Sequence, residues 1–271
     1  AQAEAYYRES ARLAEKLGRP ALAAMRAVNR ATCAIVSGAI DGIEPELARA
    51  VHVLELTASP AVAEQARINL AEIRAALGDL AGAEALLRRA EPVLTASARW
   101  IALAAARTLL AAVLATTGRT EEARAELDAA DDLEKRAPDA GLRVQTLVAR
   151  ARVEALAGAT DAANAAAVTA IREAVHSEED RSSVVGGIAL AVLYGADARV
   201  LDDAICALQV DVTHVPEDGS PATFGLCTAA RALRRRDADA LARAAAARRG
   251  GRFGSLGAEL RVLASWLHAE A

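Results

Sequence analysis

Four glycines stand forty residues apart in this chain, Gly38, Gly78, Gly118 and Gly158, and that period constrains the fold more than any other feature. A seven-residue step back from each reaches Ala31, Ala71, Ala111 and Ala151, and a twelve-residue step forward reaches Ala50, Ala90, Ala130 and Ala170. Five residues past each glycine stand Ile43, Ala83, Ala123 and Ala163, so one repeat in four departs from the small-residue rule. Small side chains at a fixed offset mark helices that cross closely, where anything larger would hold them apart. The segment 66–94, ARINLAEIRAALGDLAGAEALLRRAEPVL, therefore reads as two helices meeting at Gly78-Asp79. One such hairpin cannot bury its own apolar face, so stacked copies must enclose the core together.

The same logic places the remaining helices. Residues 2–17 form one closed by Gly18, and Pro20 opens the next, about 20–37, at a first-turn position where no amide hydrogen bond is lost. An irregular junction with Gly42 and Pro45 precedes a helix near 45–57, and regular pairs follow at 60–77 and 80–95, 98–117 and 120–136, and 140–157 and 160–176. Ser59-Pro60 and Thr120-Glu121-Glu122 are helix-start signals, the first by cap and proline, the second by cap and acidic first turn. After about 177 the phase slips, with Gly195 three residues early. Degenerate pairs are expected near 180–194 and 197–209, then 221–235 and 237–249, with the long loop 210–221 between them and a capping helix over about 253–268 anchored by Trp266. The brief alternation at 209–215 runs into Pro216 and Gly219 and reads as loop, so the whole chain, 1–271, reads as one all-α domain with regular repeats over about 20–176.

The glycine turn and its flanking alanines resemble the tetratricopeptide repeat (TPR), which has one small residue in its first helix and two in its second. Its usual repeat is about 34 residues; the longer spacing here is similar to the TPR arrays of bacterial signal-transduction ATPases and large transcriptional activators. Residues 7–25, YRESARLAEKLGRPALAAM, strengthen the comparison, since such arrays often carry a similar "LA..LG.P.L.A" phrase. The resemblance covers roughly residues 5–250. It implies a right-handed superhelical solenoid of antiparallel helix hairpins whose first helices line a concave groove. In that family the groove receives an inducer or partner protein and reports it to an ATPase or DNA-binding domain.

Bulk composition fits that reading and narrows the alternatives. Alanine supplies much of the 54% hydrophobic content while aromatics are 3%, so the core is built from close helix contacts by the best helix former. A net charge of −4 and a pI near 5.7 give no electrostatic footprint for nucleic acid. The longest uncharged apolar stretch, 184–196, is far short of the roughly 18 residues a membrane span needs, and the polar start AQAEAYYRES is no signal peptide. Lys16 and Lys135 are the only lysines, which with the alanine excess suggests a GC-rich bacterial genome. Cys33, Cys206 and Cys227 have no CxxC spacing and read as reduced, buried thiols of a cytoplasmic protein, although a Cys206–Cys227 bridge is conceivable across neighbouring helices. The chain starts without Met inside what reads as a second helix of a repeat, as expected of a piece of something longer or of a chain trimmed at its front.

No catalytic residue, metal ligand or cofactor is expected. His52, His176, His214 and His268 share no HxxxH or HExxH relation, and there is no GxxxxGK[ST], GxSxG or GxGxxG. The least implausible polar cluster is His214 with Glu217 and Asp218 in the long loop, and a helical enzyme would recruit His214, Glu217 or Asp180 for acid–base work. Carrying the TPR register across instead places Met25, Val28, Asn29, Thr32 and Ile35 on the groove face. The next repeats add Gln65, Ile68, Asn69 and Glu72, then Ala105, Thr108, Leu109 and Ala112, then Gln145, Val148 and Arg152. Sparse amides on an apolar strip can satisfy a ligand's peptide groups while its side chains are buried.

Asn29 and Asn69 lie one repeat apart where peptide-binding TPRs often carry an amide, though duplication alone would also leave them there. The lysines of the TPR carboxylate clamp are missing, with Val28 and Ile68 at such a position, which argues against recognition of an acidic C-terminal tail. Arg67 and Arg107 also recur, and with Arg74, Arg99, Arg143, Arg150, Arg152 and Arg181 they make either an anion-receiving ladder or a set of internal pairs with residues such as Glu64, Glu72 and Glu154. The binding set is therefore Asn29, Thr32, Gln65, Asn69, Glu72, Arg107, Thr108, Gln145 and Arg152, holding a peptide, partner protein or small-molecule effector. Three functions follow: the non-enzymatic sensor of a larger bacterial regulator, a free-standing assembly scaffold, or a helical enzyme enclosing a small molecule.

Overall fold

The structure, a computed structural model, describes residues 2–37, 40, 42–57, 60–176 and 181–210. Within them eleven helices follow one another and no strand occurs. They are α1 (Gln2–Lys16), α2 (Pro20–Ser37), α3 (Glu44–Thr57), α4 (Pro60–Leu77), α5 (Leu80–Ala96), α6 (Trp100–Thr116), α7 (Thr120–Glu134), α8 (Ala140–Leu156), α9 (Thr160–Val175), α10 (Arg181–Leu193) and α11 (Arg199–Leu208). The expected helices beyond residue 210, the long loop with His214, Glu217 and Asp218, Asp180, Cys227 and Trp266 lie outside the described residues.

The repeating glycines end helices by one device. At Gly78, Gly118, Gly158 and Gly195 the backbone φ is positive, between 76° and 121°. In each case the next residue's amide reaches back to a carbonyl five residues earlier, as in Asp79 to Arg74 at 2.9 Å and Arg119 to Leu114 at 3.0 Å. Two last-turn carbonyls are satisfied in this way, and a left-handed residue there favours glycine. Helix starts are more varied. Asp79 and Asp139 cap α5 and α8, accepting from the Gly82 and Leu142 amides at 2.9 and 2.8 Å. Thr120 corrects the sequence reading, since it is the first helical residue of α7 rather than its cap. Arg119 occupies the cap position without a side-chain cap bond, and its guanidinium goes to Glu122 and Glu84 instead.

The period of small residues is a period of burial. Ala31, Ala71, Ala111 and Ala151 are fully buried, as are Ala83, Ala123, Ala163, Ala90, Ala130 and Ala170. Ile43 is buried at the departing position, next to the irregular turn at Gly42. The core is one elongated seam in three linked clusters, spanning α2 to α4, α4 to α8 and α8 to α11, with Leu86 packed against the first two.

Each helix packs on its chain neighbours, and α2, α4, α6, α8 and α10 also pack successively on one another. The helices α3, α5 and α7 contact the even-numbered layer far more than each other. From α2 to α8 the array is closed along its even layer and splayed along its odd one, so that part curves with the even helices inside, whereas α9 and α11 pack on one another. The cysteines correct another expectation. Cys33 is half-buried and Cys206 exposed, because α11 buries Val200, Leu201, Ala204 and Leu208 on its opposite side.

Candidate functional site

The inner face is built by register. Met25, Gln65, Ala105 and Gln145 occupy one line along the even helices, forty residues apart; Met25 is 46% exposed, and Gln65 and Gln145 are exposed as well. Gln65, Ala105 and Gln145 line a common groove of ≈ 560 Å³ between α4, α6 and α8, within the range of small-molecule and peptide sites. Its floor and walls come from Ile101, Ala102 and Leu142, and Gly141 and Ala137 leave room by being small. Trp100 stands at its edge, with the Arg136 guanidinium 5.7 Å over the indole ring. Sequence reasoning missed this end of the groove. Its signal in the sequence was a large apolar residue, Ile101, itself 46% exposed, where Ala61 and Gly141 stand one repeat either side.

Several predicted residues are instead fasteners between helices. Asn69 is only 8% exposed. It donates to the Thr32 hydroxyl at 3.0 Å, tying α4 to α2, and accepts from Gln65 at 3.4 Å. Asn29 and Glu72 are half-buried and Thr32 exposed. Thr108 is a correction to the groove list: it is buried, and its hydroxyl meets that of Thr146 at 3.1 Å. Thr146 in turn donates to buried Glu134 at 2.8 Å. Ile68 is buried too, because the line through 28, 68, 108 and 148 is the seam where one even helix meets the next, and Ile35, on a different line, is buried near the end of α2.

Most of the arginine ladder resolves into internal pairs, while Arg99 is exposed and lines the groove. Arg107 does not face the groove; its guanidinium bonds Glu91 on α5 and Glu126 on α7, the latter at 2.7 Å. Arg67 is buried between Glu55 and Glu64. Burial works against its charge, and the two carboxylates outweigh that and raise its pKa. Arg74 pairs with Glu44, Arg143 with Glu134, and Arg150 with Asp128 and Asp131. Arg152 is the exception on the inner face. Its Nη2 donates to the Thr116 hydroxyl at 2.8 Å and its guanidinium lies 5.6 Å over the Tyr194 ring.

No group of three His, Cys, Asp or Glu among the described residues stands close enough to hold a metal ion. No helix among them is long and apolar enough to cross a membrane. His52 and His176 are exposed and on different helices.

Comparisons with known proteins bear on this architecture. No protein-family model matches the chain, and no curated protein matches it in sequence. Solved structures do match. BtubC (BKLC) from P. vanneervenii superposes with a TM-score of 0.55 at 14% identity, over 88% of this chain and 91% of that one. A Signal Transduction ATPase with Numerous Domains (STAND) protein with a tetratricopeptide repeat sensor, from Pyrococcus horikoshii, gives a TM-score of 0.55 at 12% identity. That match covers 99% of this chain and 42% of the STAND protein, so the array has the extent of less than half of it. The chain is a TPR-like helical array.

Proposed function

We propose that this chain is a non-enzymatic binding array, the ligand-sensing region of a larger cytoplasmic bacterial regulator. It holds a peptide segment, a partner protein or a small effector in the concave face of a right-handed superhelix. The observation that carries this reading is the groove between α4, α6 and α8, where Gln65 and Gln145 stand on either side of Ala105 above an apolar floor. Two amides flanking an apolar strip can donate to and accept from a bound segment's peptide groups while its side chain is buried between them. The STAND protein with a tetratricopeptide repeat sensor supports the regulatory context, since 99% of this chain superposes on part of it. A second reading, a free-standing scaffold, draws on BtubC, 91% of whose chain is matched by an array of this length.

The test is selection of binders from a displayed random-peptide library, followed by titration calorimetry of the best peptide against wild type and Gln65→Ala/Gln145→Ala. The double variant should lose at least about tenfold in affinity, as expected for two lost peptide-group hydrogen bonds, with an unchanged far-ultraviolet spectrum. Equal affinities would remove this groove from the site. Attachment of the array to a nucleotide-binding or helix-turn-helix domain in its parent gene separates the sensor from the scaffold.

A further inference from the structure

We infer that Arg152, its guanidinium held in place by the Thr116 hydroxyl oxygen, forms a carboxylate-receiving subsite at the second end of the inner face, distinct from the glutamine-lined groove but resting on the same reading of that face. Arg26, Arg30, Arg67, Arg74, Arg107, Arg143, Arg150 and Arg152 are the arginines of α2, α4, α6 and α8. Six of them have carboxylate partners among the described residues; Arg26 and Arg152 do not. Arg26 shares the register of Thr146, which turns towards α7. Arg152 shares that of Thr32, Glu72 and Ala112, and its contacts are to the end of α6 and to Tyr194 just past α10. It therefore lies along the inner layer, between consecutive inner helices.

The chemistry of that position selects the guest. The Nε of Arg152 is buried without a hydrogen-bond partner, and the Thr116 hydroxyl hydrogen is already given to the Ala112 carbonyl at 2.7 Å. The guanidinium is thus held against an aromatic ring and partly stripped of water before any anion arrives, so an incoming charge meets a donor whose desolvation is already complete in part. With Nε buried and one Nη2 hydrogen given to Thr116, the edge left to a guest is Nη1 with the second Nη2 hydrogen, which one carboxylate can take in two parallel N–H bonds. A phosphate dianion would be left half-neutralised by a single guanidinium. The carboxylate belongs either to a small organic acid or to an acidic side chain of a bound segment.

The experiment titrates the isotopically labelled chain with benzoate, with the blocked peptide acetyl-Ala-Ala-Glu-Ala-Ala-amide, and with inorganic phosphate, following the arginine Nε–H resonances. Benzoate or the peptide should move the Arg152 resonance saturably; the stronger of the two identifies the source. Arg152→Gln should weaken that binding by at least about tenfold, the worth of a charged hydrogen bond, and Arg152→Lys by less. Arg150→Gln, which loses only its Asp128 and Asp131 pairing, should leave it unchanged. A phosphate response exceeding both carboxylates, no saturable response, or equal binding by Arg152→Gln with helical content intact would overturn the subsite. The library-selected peptide keeps the two readings apart: if it needs Gln65 and Gln145 but not Arg152, the groove stands and this subsite falls.

Discussion

Gly187 lies inside α10, where glycine ordinarily weakens a helix, and replacing it by alanine should nonetheless fail to stabilise the protein. On propensity alone the change gains about 0.8–1 kcal/mol. A Cβ built at Gly187, however, falls 2.2 Å from Val148 Cγ1 on α8, over 1 Å inside the roughly 3.5–4 Å of an ordinary carbon contact. Valine in a helix has one strongly preferred rotamer, so relief requires an off-rotamer side chain or separation of α8 from α10, costing about 1–3 kcal/mol. The net is a loss of up to about 2 kcal/mol. In a Val148→Ala background the next atom is Val148 Cβ at 3.6 Å, an ordinary contact, and the same change should then gain about 0.8–1 kcal/mol. Urea denaturation of the four proteins, followed by circular dichroism with m-values compared, gives the coupling directly. Stabilisation by Gly187→Ala alone, or a coupling below about 0.5 kcal/mol, would refute the close approach of α8 and α10.

The other predictions concern the repeat and its pairs. Ala111→Leu, at a fully buried helix crossing, should cost about 1–3 kcal/mol in the same denaturation assay; a neutral result would mean that the crossing has slack. Gly118→Ala meets no atom within 4 Å but keeps a φ of +82°, so its cost of about 1–2 kcal/mol should be purely conformational. Ala98→Gly, relieving a φ of 51°, should not destabilise, which thermal melts of the two variants compare. Arg107→Ala removes the partner of Glu91 and Glu126 and should lower the unfolding midpoint while leaving the affinity of a groove-selected peptide within about twofold, far below the tenfold of a lost contact. A large affinity loss in calorimetry would return Arg107 to the groove.

The helices were legible because their signals are local. Every described helix begins and ends within about two residues of the sequence expectation, since the glycines, prolines and apolar spacing that set those ends lie within the helix or its flanks. The site was less legible because its side chains choose partners across the stack. Arg74 reaches Glu44 thirty residues away, and Arg107 takes Glu126 nineteen residues on. Asn69 is drawn back to Thr32, thirty-seven residues earlier, rather than left open. Periodicity placed Asn69 and Thr108 on roughly the right side of their helices, but a 100° step separates groove from seam, and only the packing of the next helix decides between them. Glu134 is the sharpest case. Its counterparts one and two repeats earlier are Leu94 and Leu54, both buried, and it too is buried because Thr146 and Arg143 arrive to meet it.

Because the apolar interior runs as a chain of local clusters, no residue near α2 depends on contacts near α11, and mechanical strain passes only from one hairpin to the next. Such a molecule bends like a stack of hinged plates, with small rotations adding up along its length. A guest that bridges α4, α6 and α8 would lock the middle hinges and leave the two extremities to move independently. The signal an attached domain receives would then be a change in compliance at the array's end more than a displacement of any one atom.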